Sequence, residues 1–240
     1  MEKGRGRVLL LALLAGVGGC GESGAGGASA QSPEGERVAP DFRGDTALAL
    51  LRRQVEFGPR VPGTAGHGAQ LEWMTSYLRE RADTVILQRF THTGPRGERL
   101  EMTNVFARFL PEAPDRVLLV AHWDTRPTAD AEATPERRAM PIPGANDGAS
   151  GTAVLLEMAN VLSSHSPPLG VDLLLVDGED YAPDHMYLGA KHFAANKPLG
   201  YEPFYGILLD MVGDRTPEFP QEGYSVRYAP EVVERVWRMA

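Results

Sequence analysis

The chain has 240 residues, 42% of them hydrophobic and 23% charged, with a formal net charge of -8. That composition fits one globular domain with a sizeable core and excludes collagen-like, coiled-coil and wholly disordered chains. The basic residues form no stripe, which argues against nucleic acid as a partner, and a single cysteine excludes an internal disulfide.

Lys3, Arg5 and Arg7 precede an apolar run over residues 8–17, followed by Gly18, Gly19 and Cys20. The run is too short to span a bilayer as a stable helix. Its basic start, apolar middle and small residues are those of an export signal. Because the lone cysteine falls at the cleavage point, residues 1–19 resemble a bacterial lipoprotein signal. Cys20 is then expected to carry the lipid anchor that holds the exported protein on the periplasmic or cell-surface face of a membrane. An ordinary secretory signal with an incidental cysteine is the plainer alternative. Residues 20–40 are poor in large apolar groups and read as a flexible tether, which leaves 41–240 as the folded domain.

Within that domain a helix is predicted over residues 46–57, then a turn-rich loop, then a second amphipathic helix over 67–81. Strand-like runs follow at 85–92, 103–110, 116–121 and 171–176. The last two are nearly all apolar, as in strands covered on both faces. Helices are expected over 148–162 and 185–195, a buried strand over 206–212, and a helix from Pro230. Strands alternating with helices in this way predict an α/β three-layer sandwich around a central mixed, mostly parallel sheet.

Four points ending in histidine or carboxylate fall at the carboxyl ends of the predicted central strands or just before a helix. They are A-H-W-D at 121–124, A-N-D-G at 145–148, D-G-E-D at 177–180 and L-L-D-M at 208–211. Open α/β sheets place their sites at this edge. Imidazole and carboxylate oxygens suit zinc, and a catalytic zinc keeps one position open. His122, Asp147, Asp180 and Asp210 are therefore the candidate metal ligands. Asp124 is placed to orient the His122 ring, and of the neighbours Glu179 and Asp180 one can ligate while the other stays free for proton transfer. Singly, an Asp at a strand end is more often a helix cap or turn former; four such motifs at successive strand ends, three of them ending in a carboxylate, do not read that way. Trp123 reads as pocket wall or core, and Asp177 as a turn or supporting residue. His185 and His192 are expected to be structural, and His67, His92 and His165 to lie on the surface. The Pro- and Ala-rich loop 125–143 is expected to overhang the site.

As a set, A-H-W-D, P-G-A-N-D-G-A-S-G at 143–151, D-G-E-D and L-L-D-M-V-G resemble metallopeptidase family twenty-eight, which contains zinc aminopeptidases and glutaminyl cyclases. The resemblance covers residues 55–228. It implies that His122 and Asp210 hold one metal, that Asp147 bridges, that Asp180 serves a second metal, and that Glu179 is the general acid/base. The runs F-G-P-R-V-P-G-T at 57–64, L-G-A-K-H-F-A-A at 188–195 and T-P-E-F-P at 216–220 are closer to the cyclase branch. Two departures stand out. Position 180 is Asp where the family usually has Glu, and no histidine matches the ligand that the family supplies near its C-terminus, so the resemblance implies a domain cut short at that end.

The expected function is action at peptide N-termini with one or two zinc ions. Cyclisation of N-terminal glutamine with release of ammonia is favoured. A zinc aminopeptidase that hydrolyses the first peptide bond is the alternative, and a metal-free binding domain on the same fold is the second alternative. The partners implied are peptides with a free N-terminus.

Overall fold

The computed structural model describes residues 39–239; the expected signal segment 1–19, Cys20 and the tether as far as residue 38 lie outside them. Helix α1 spans Gly44–Glu56 and α2 spans Ala65–Arg79, with Thr64 accepting from the His67 amide as its cap. The strands β1 (Thr84–Thr93), β2 (Arg99–Phe109), β3 (Arg116–His122) and β4 (Gly170–Val176) follow, with the short helix α3 (Pro135–Arg138) and the long helix α4 (Ala149–Ser164) between β3 and β4. Next come β5 (Asp180–Ala182), β6 (His185–Met186), α5 (Leu188–Ala195), β7 (Gly206–Leu208), α6 (Gly223–Tyr228) and α7 (Pro230–Met239).

The main sheet runs β1-β2-β4-β3-β7, while β5 and β6 form a separate small hairpin. β1–β2 and β2–β4 pair antiparallel; β3–β4 and β3–β7 pair parallel. The sheet is therefore mixed, with parallel pairing confined to the half that carries the motifs. Alternation on β4 divides the core into two faces. Leu173 and Leu175 join Met74, Leu78, Trp123, Leu155 and Leu156 beneath the helices on one side. Leu174 and Val176 join Phe106, Phe193 and Tyr201 on the side of α5. Two helical layers around a sheet give the expected three-layer sandwich.

β4 is buried along its whole length, as its apolar run requires. β3 is only half-buried at its centre on both faces, Val117 and Leu119 toward one core and Leu118 and Val120 toward the other. One charged group sits within β4. Asp172, fully buried, accepts from Arg116 Nε and Nη2 at 2.6 and 2.9 Å and from Arg108 Nε at 3.2 Å. Buried carboxylates need such partners. The pairing ties β2, β3 and β4 together at the sheet edge opposite the motifs. Among the described residues no helix is long and apolar enough to cross a membrane.

Candidate metal centre

All four motifs converge at the carboxyl ends of β3 and β4 and the segment after β7. His122 closes β3 and is almost wholly buried. Its Nε2 lies 2.9 Å from Asp147 Oδ1 and 3.4 Å from Asp210 Oδ1. Its Nδ1 lies 3.5 Å from Asp124 Oδ1 and 4.0 Å from Glu179 Oε2. Burial disfavours the charged ring, but Asp124, Asp147 and Asp210 outweigh it and the group is pushed up to about 12. Neither ring nitrogen meets a partner in hydrogen-bond geometry. A buried imidazole that faces several carboxylates without a directed N–H bond could hold a metal ion.

Asp147 is set by the turn before α4. Gly148 caps that helix at φ 88°, and a side chain there would meet the Asp124 carbonyl at 2.6 Å and His122 Cε1 at 3.3 Å. Only glycine lets this turn lie against the β3 end. Buried Arg60, from the loop after α1, donates to the carbonyls of Pro143 and Gly144 (2.6 Å for the latter), which fixes the approach to Asp147. Burial lowers Arg60 to about 10, against the nearby charges of Asp124 and Asp147. Asp210 follows β7, where the Leu209 amide donates to Val120 O at 2.8 Å and extends the parallel pairing. The amides of Val212 and Gly213 then bond Ser150 Oγ and Asn146 Oδ1 at 3.0 and 2.8 Å. His122 holds Asp210 below the usual carboxylate range.

The turn 177–180 is locked from both sides. The carbonyls of Asp177, Gly178 and Glu179 accept from the amides of Gly189, Leu188 and Tyr187 at 2.9, 2.9 and 2.7 Å. These are donors around the start of α5 that a helix leaves without partners of its own. The Asp124 carboxylate accepts from the amides of Glu179 and Asp180 at 3.0 and 3.4 Å. Asp124 thus braces the turn as well as facing His122. Burial pushes Glu179 up to about 7, with His122 opposing and Asp124, Asp180 and Asp210 adding to the rise. Such a carboxyl exchanges protons near neutral pH.

One atom each from His122, Asp147 and Glu179 falls within 4.8 Å of the others, a spacing that fits a metal ion. Asp210 joins this group through His122. Asp180 does not join it. Its carboxylate accepts from Arg126 Nε at 2.9 and 3.0 Å and from Arg126 Nη2 as well. The sequence therefore places four of its five site residues together, and the fifth faces a guanidinium. Arg60, inside the run 57–64, and Arg126, two residues past A-H-W-D, were not foreseen as site residues; the signal was the need of clustered carboxylates for counter-charge.

Other residues fall as follows. Trp123 is core, fully buried, its Nε1 donating to Thr103 O at 3.2 Å. His67, expected at the surface, is buried. It stacks on Trp123 at 4.3 Å, and its Nε2 meets both oxygens of Asp177 at 3.0 Å. The correction has a physical cause: fully buried Asp177 needs a partner beneath the turn, and α2 brings His67 there. Burial pushes Asp177 up to about 6, with His67 opposing. His165 is exposed. His92 and His185, both half-buried, face each other at 2.7 Å, and His192 stacks on Phe90. The loop 125–143 joins the site through Arg126.

Fold and site together define an α/β protein with a carboxylate-rich metal centre at its sheet edge. Residues 104–240 match the model of Peptidase family M28, and the chain belongs to that family. It is 40% identical to a Zn-dependent exopeptidase from Parabacteroides distasonis, with a TM-score of 0.81, covering 84% of this chain and 72% of that one. It is 38% identical to Bacteroides thetaiotaomicron glutaminyl cyclase bound to N-acetylhistamine, again with a TM-score of 0.81, covering 84% and 73%. It is 29% identical over 175 residues to glutaminyl-peptide cyclotransferase of Drosophila melanogaster, covering 67% of this chain and 46% of that protein. The chain spans about half the length of the curated relatives it matches.

Proposed function

We propose that the protein is a zinc enzyme that acts at peptide N-termini and cyclises N-terminal glutamine. The observation that carries this reading is the separation of Asp180 from the other site residues. His122, Asp147 and Glu179 form one compact group with Asp210 3.4 Å from His122 Nε2, while Arg126 engages Asp180. Water activation between two metals needs both positions; cyclisation needs one electrophilic centre and a proton shuttle. The likeness to glutaminyl cyclases at 38% identity supports the same choice.

His122, Asp147 and Asp210 would hold the zinc, which when bound would polarise the glutamine γ-carbonyl. Glu179, with its carboxyl near 7, takes a proton from the attacking α-amine and delivers it to the departing amide nitrogen. The new bond joins the α-nitrogen to the γ-carbon, the γ-carbon–nitrogen bond breaks, and ammonia leaves. Asp124 holds the Glu179 amide and so fixes the shuttle.

Aminopeptidase action remains the second reading, favoured by the likeness to an exopeptidase at 40% identity. The test is to count bound zinc and compare a fluorogenic N-terminal glutamine substrate with a leucine one. One zinc with ammonia release is the expected outcome. Two metals with leucine release would move the assignment to the peptidase, and no turnover of either would end both. A metal-free binding domain on this fold predicts no zinc uptake in the same experiment.

We also infer export and lipid anchoring at Cys20, supported by the basic start, short apolar run and lone cysteine at the cleavage point. Labelled palmitate should be incorporated by the wild type and not by Cys20→Ser.

A further inference from the structure

We propose that His67 is a positioning residue for Glu179: bonded to Asp177 and stacked on Trp123, it fixes from beneath the turn that presents the proton shuttle. This rests on the role proposed for Glu179 and concerns two side chains, His67 and Asp177, that the reaction itself does not use.

Every polar group of Asp177 is committed. Its amide donates to Asn104 Oδ1 at 3.0 Å, and its carbonyl accepts from the Gly189 amide at 2.9 Å. Its carboxylate is fully buried. Among the described residues that carboxylate accepts from the Thr103 amide at 2.7 Å and meets His67 Nε2 at 3.0 Å from each oxygen. Thr103 and Asn104 belong to β2, so the sheet holds Asp177 on one side and α2 holds it on the other through His67. Glu179 stands two residues on, joined through Gly178 at φ 66°. The carbonyls of residues 177–179 all bond amides around the start of α5, so the turn moves as one body when Asp177 moves.

His67 is itself held firmly. Its ring lies 4.3 Å from the Trp123 ring at an interplanar angle of 21°, and Trp123 stands between His122 and Asp124 in the chain. Thr64 caps its amide. A side chain at the preceding Gly66 would meet the carbonyls of Phe57 and Pro59 at 2.5 and 2.8 Å. Only glycine seats the first turn of α2 that closely on the loop after α1. Without His67 the buried carboxylate keeps one backbone donor for two oxygens, a costly state. It can relieve that state only by taking a proton, admitting water or moving, and each loosens the hold of the turn on α2. Small misplacements of a reacting group are enough to slow proton transfer.

Steady-state kinetics of zinc-loaded protein on the N-terminal glutamine substrate provide the test. His67→Phe keeps the stack and removes the donor; kcat should fall at least about tenfold with KM changed less than about twofold. His67→Gln, whose amide nitrogen reaches about as far as Nε2, should recover most of kcat. His67→Asn falls one bond short and should lose kcat as the Phe variant does; it carries the test if the Phe variant does not fold. The sharpest comparison uses the Glu179→Gln background, where the shuttle is already gone. There His67→Phe should lower the residual rate by less than about threefold. A role confined to packing would lower Tm and reduce the rate by the same factor in both backgrounds. That equal factor, or kcat within about twofold of wild type in both the Phe and Asn variants, overturns the inference and leaves the role of Glu179 standing. Wild type without turnover of glutamine or leucine substrate, or Glu179→Gln as fast as wild type, overturns both.

Discussion

At the scale of single residues, Glu179 shows how a site group is tuned at a cost to the fold. Burial pushes its carboxyl from the ordinary 4.5 up to about 7. The folded metal-free chain therefore binds this proton more tightly than the unfolded chain does. Between those two values the folded state carries more protons, and the contribution of Glu179 to stability falls as pH rises. Glu179→Gln keeps the shape and removes the ionisation. In chelator its Tm is expected to exceed that of wild type at pH 8 by roughly 2–5 °C, with the gap closing toward pH 5. A gap that stays constant with pH would show that the carboxyl titrates normally. With zinc bound, the same variant should lose at least about a hundredfold in turnover while taking up zinc like wild type. Steady-state rates on the glutamine substrate, set beside the zinc count, check both halves.

At the scale of elements, the sequence was informative where a strand ends. The apolar runs over 116–121 and 171–176 became β3 and β4 within a residue, and their C-terminal motifs landed on one edge. Long periodic helices were equally legible: 148–162 became α4. What could not be read were contacts between segments far apart in the chain. Nothing near Asp180 indicates that Arg126, 54 residues earlier, takes its carboxylate, nor that His67 is buried beneath Asp177. The expected strand over 206–212 shrank to three paired residues. Beyond Leu209 the chain leaves β3 to hook onto Asn146 and Ser150 instead. That hook depends on close approach at α4. A side chain at Gly151 would meet the Leu209 carbonyl at 2.2 Å. Gly151→Ala should push the 209–213 segment outward, draw Asp210 from His122 and weaken the first zinc at least about tenfold by chelator competition. Gly68→Ala, in open space on α2, is the control and should leave zinc affinity unchanged. The opposite end of the sheet answers to a different force. Asp172→Ala would strand buried Arg116 without a carboxylate and should cost about 3–5 kcal/mol in urea unfolding; a loss under about 1 kcal/mol would mean that the pair is not needed to hold β2, β3 and β4.

At the scale of the whole molecule, the two ends of the central strands are asymmetric. One end is self-sufficient, since Asp172 meets both Arg116 and Arg108. The other collects five carboxylates against two guanidiniums and the His122 ring, so self-repulsion works against the fold there until a cation arrives. The proposed ligands come from three distant points: the end of β3, the turn before α4 and the segment after β7. One bound ion would therefore join three chain segments that backbone hydrogen bonds link only in part. Because zinc binds this arrangement only when it is folded, it stabilises by mass action, by about 2.7 kcal/mol when free zinc is a hundredfold above Kd. For a domain of this size that corresponds to a rise in Tm of roughly 5–10 °C. The rise should shrink in Asp147→Asn and in His122→Ala, whose ligands are lost. It should persist in Asp172→Asn, whose damage lies at the far end of the sheet. Differential scanning fluorimetry with chelator and with graded zinc separates these cases. An equal shift in all variants would place zinc elsewhere on the surface, and no shift in wild type would remove the metal from the account of this fold.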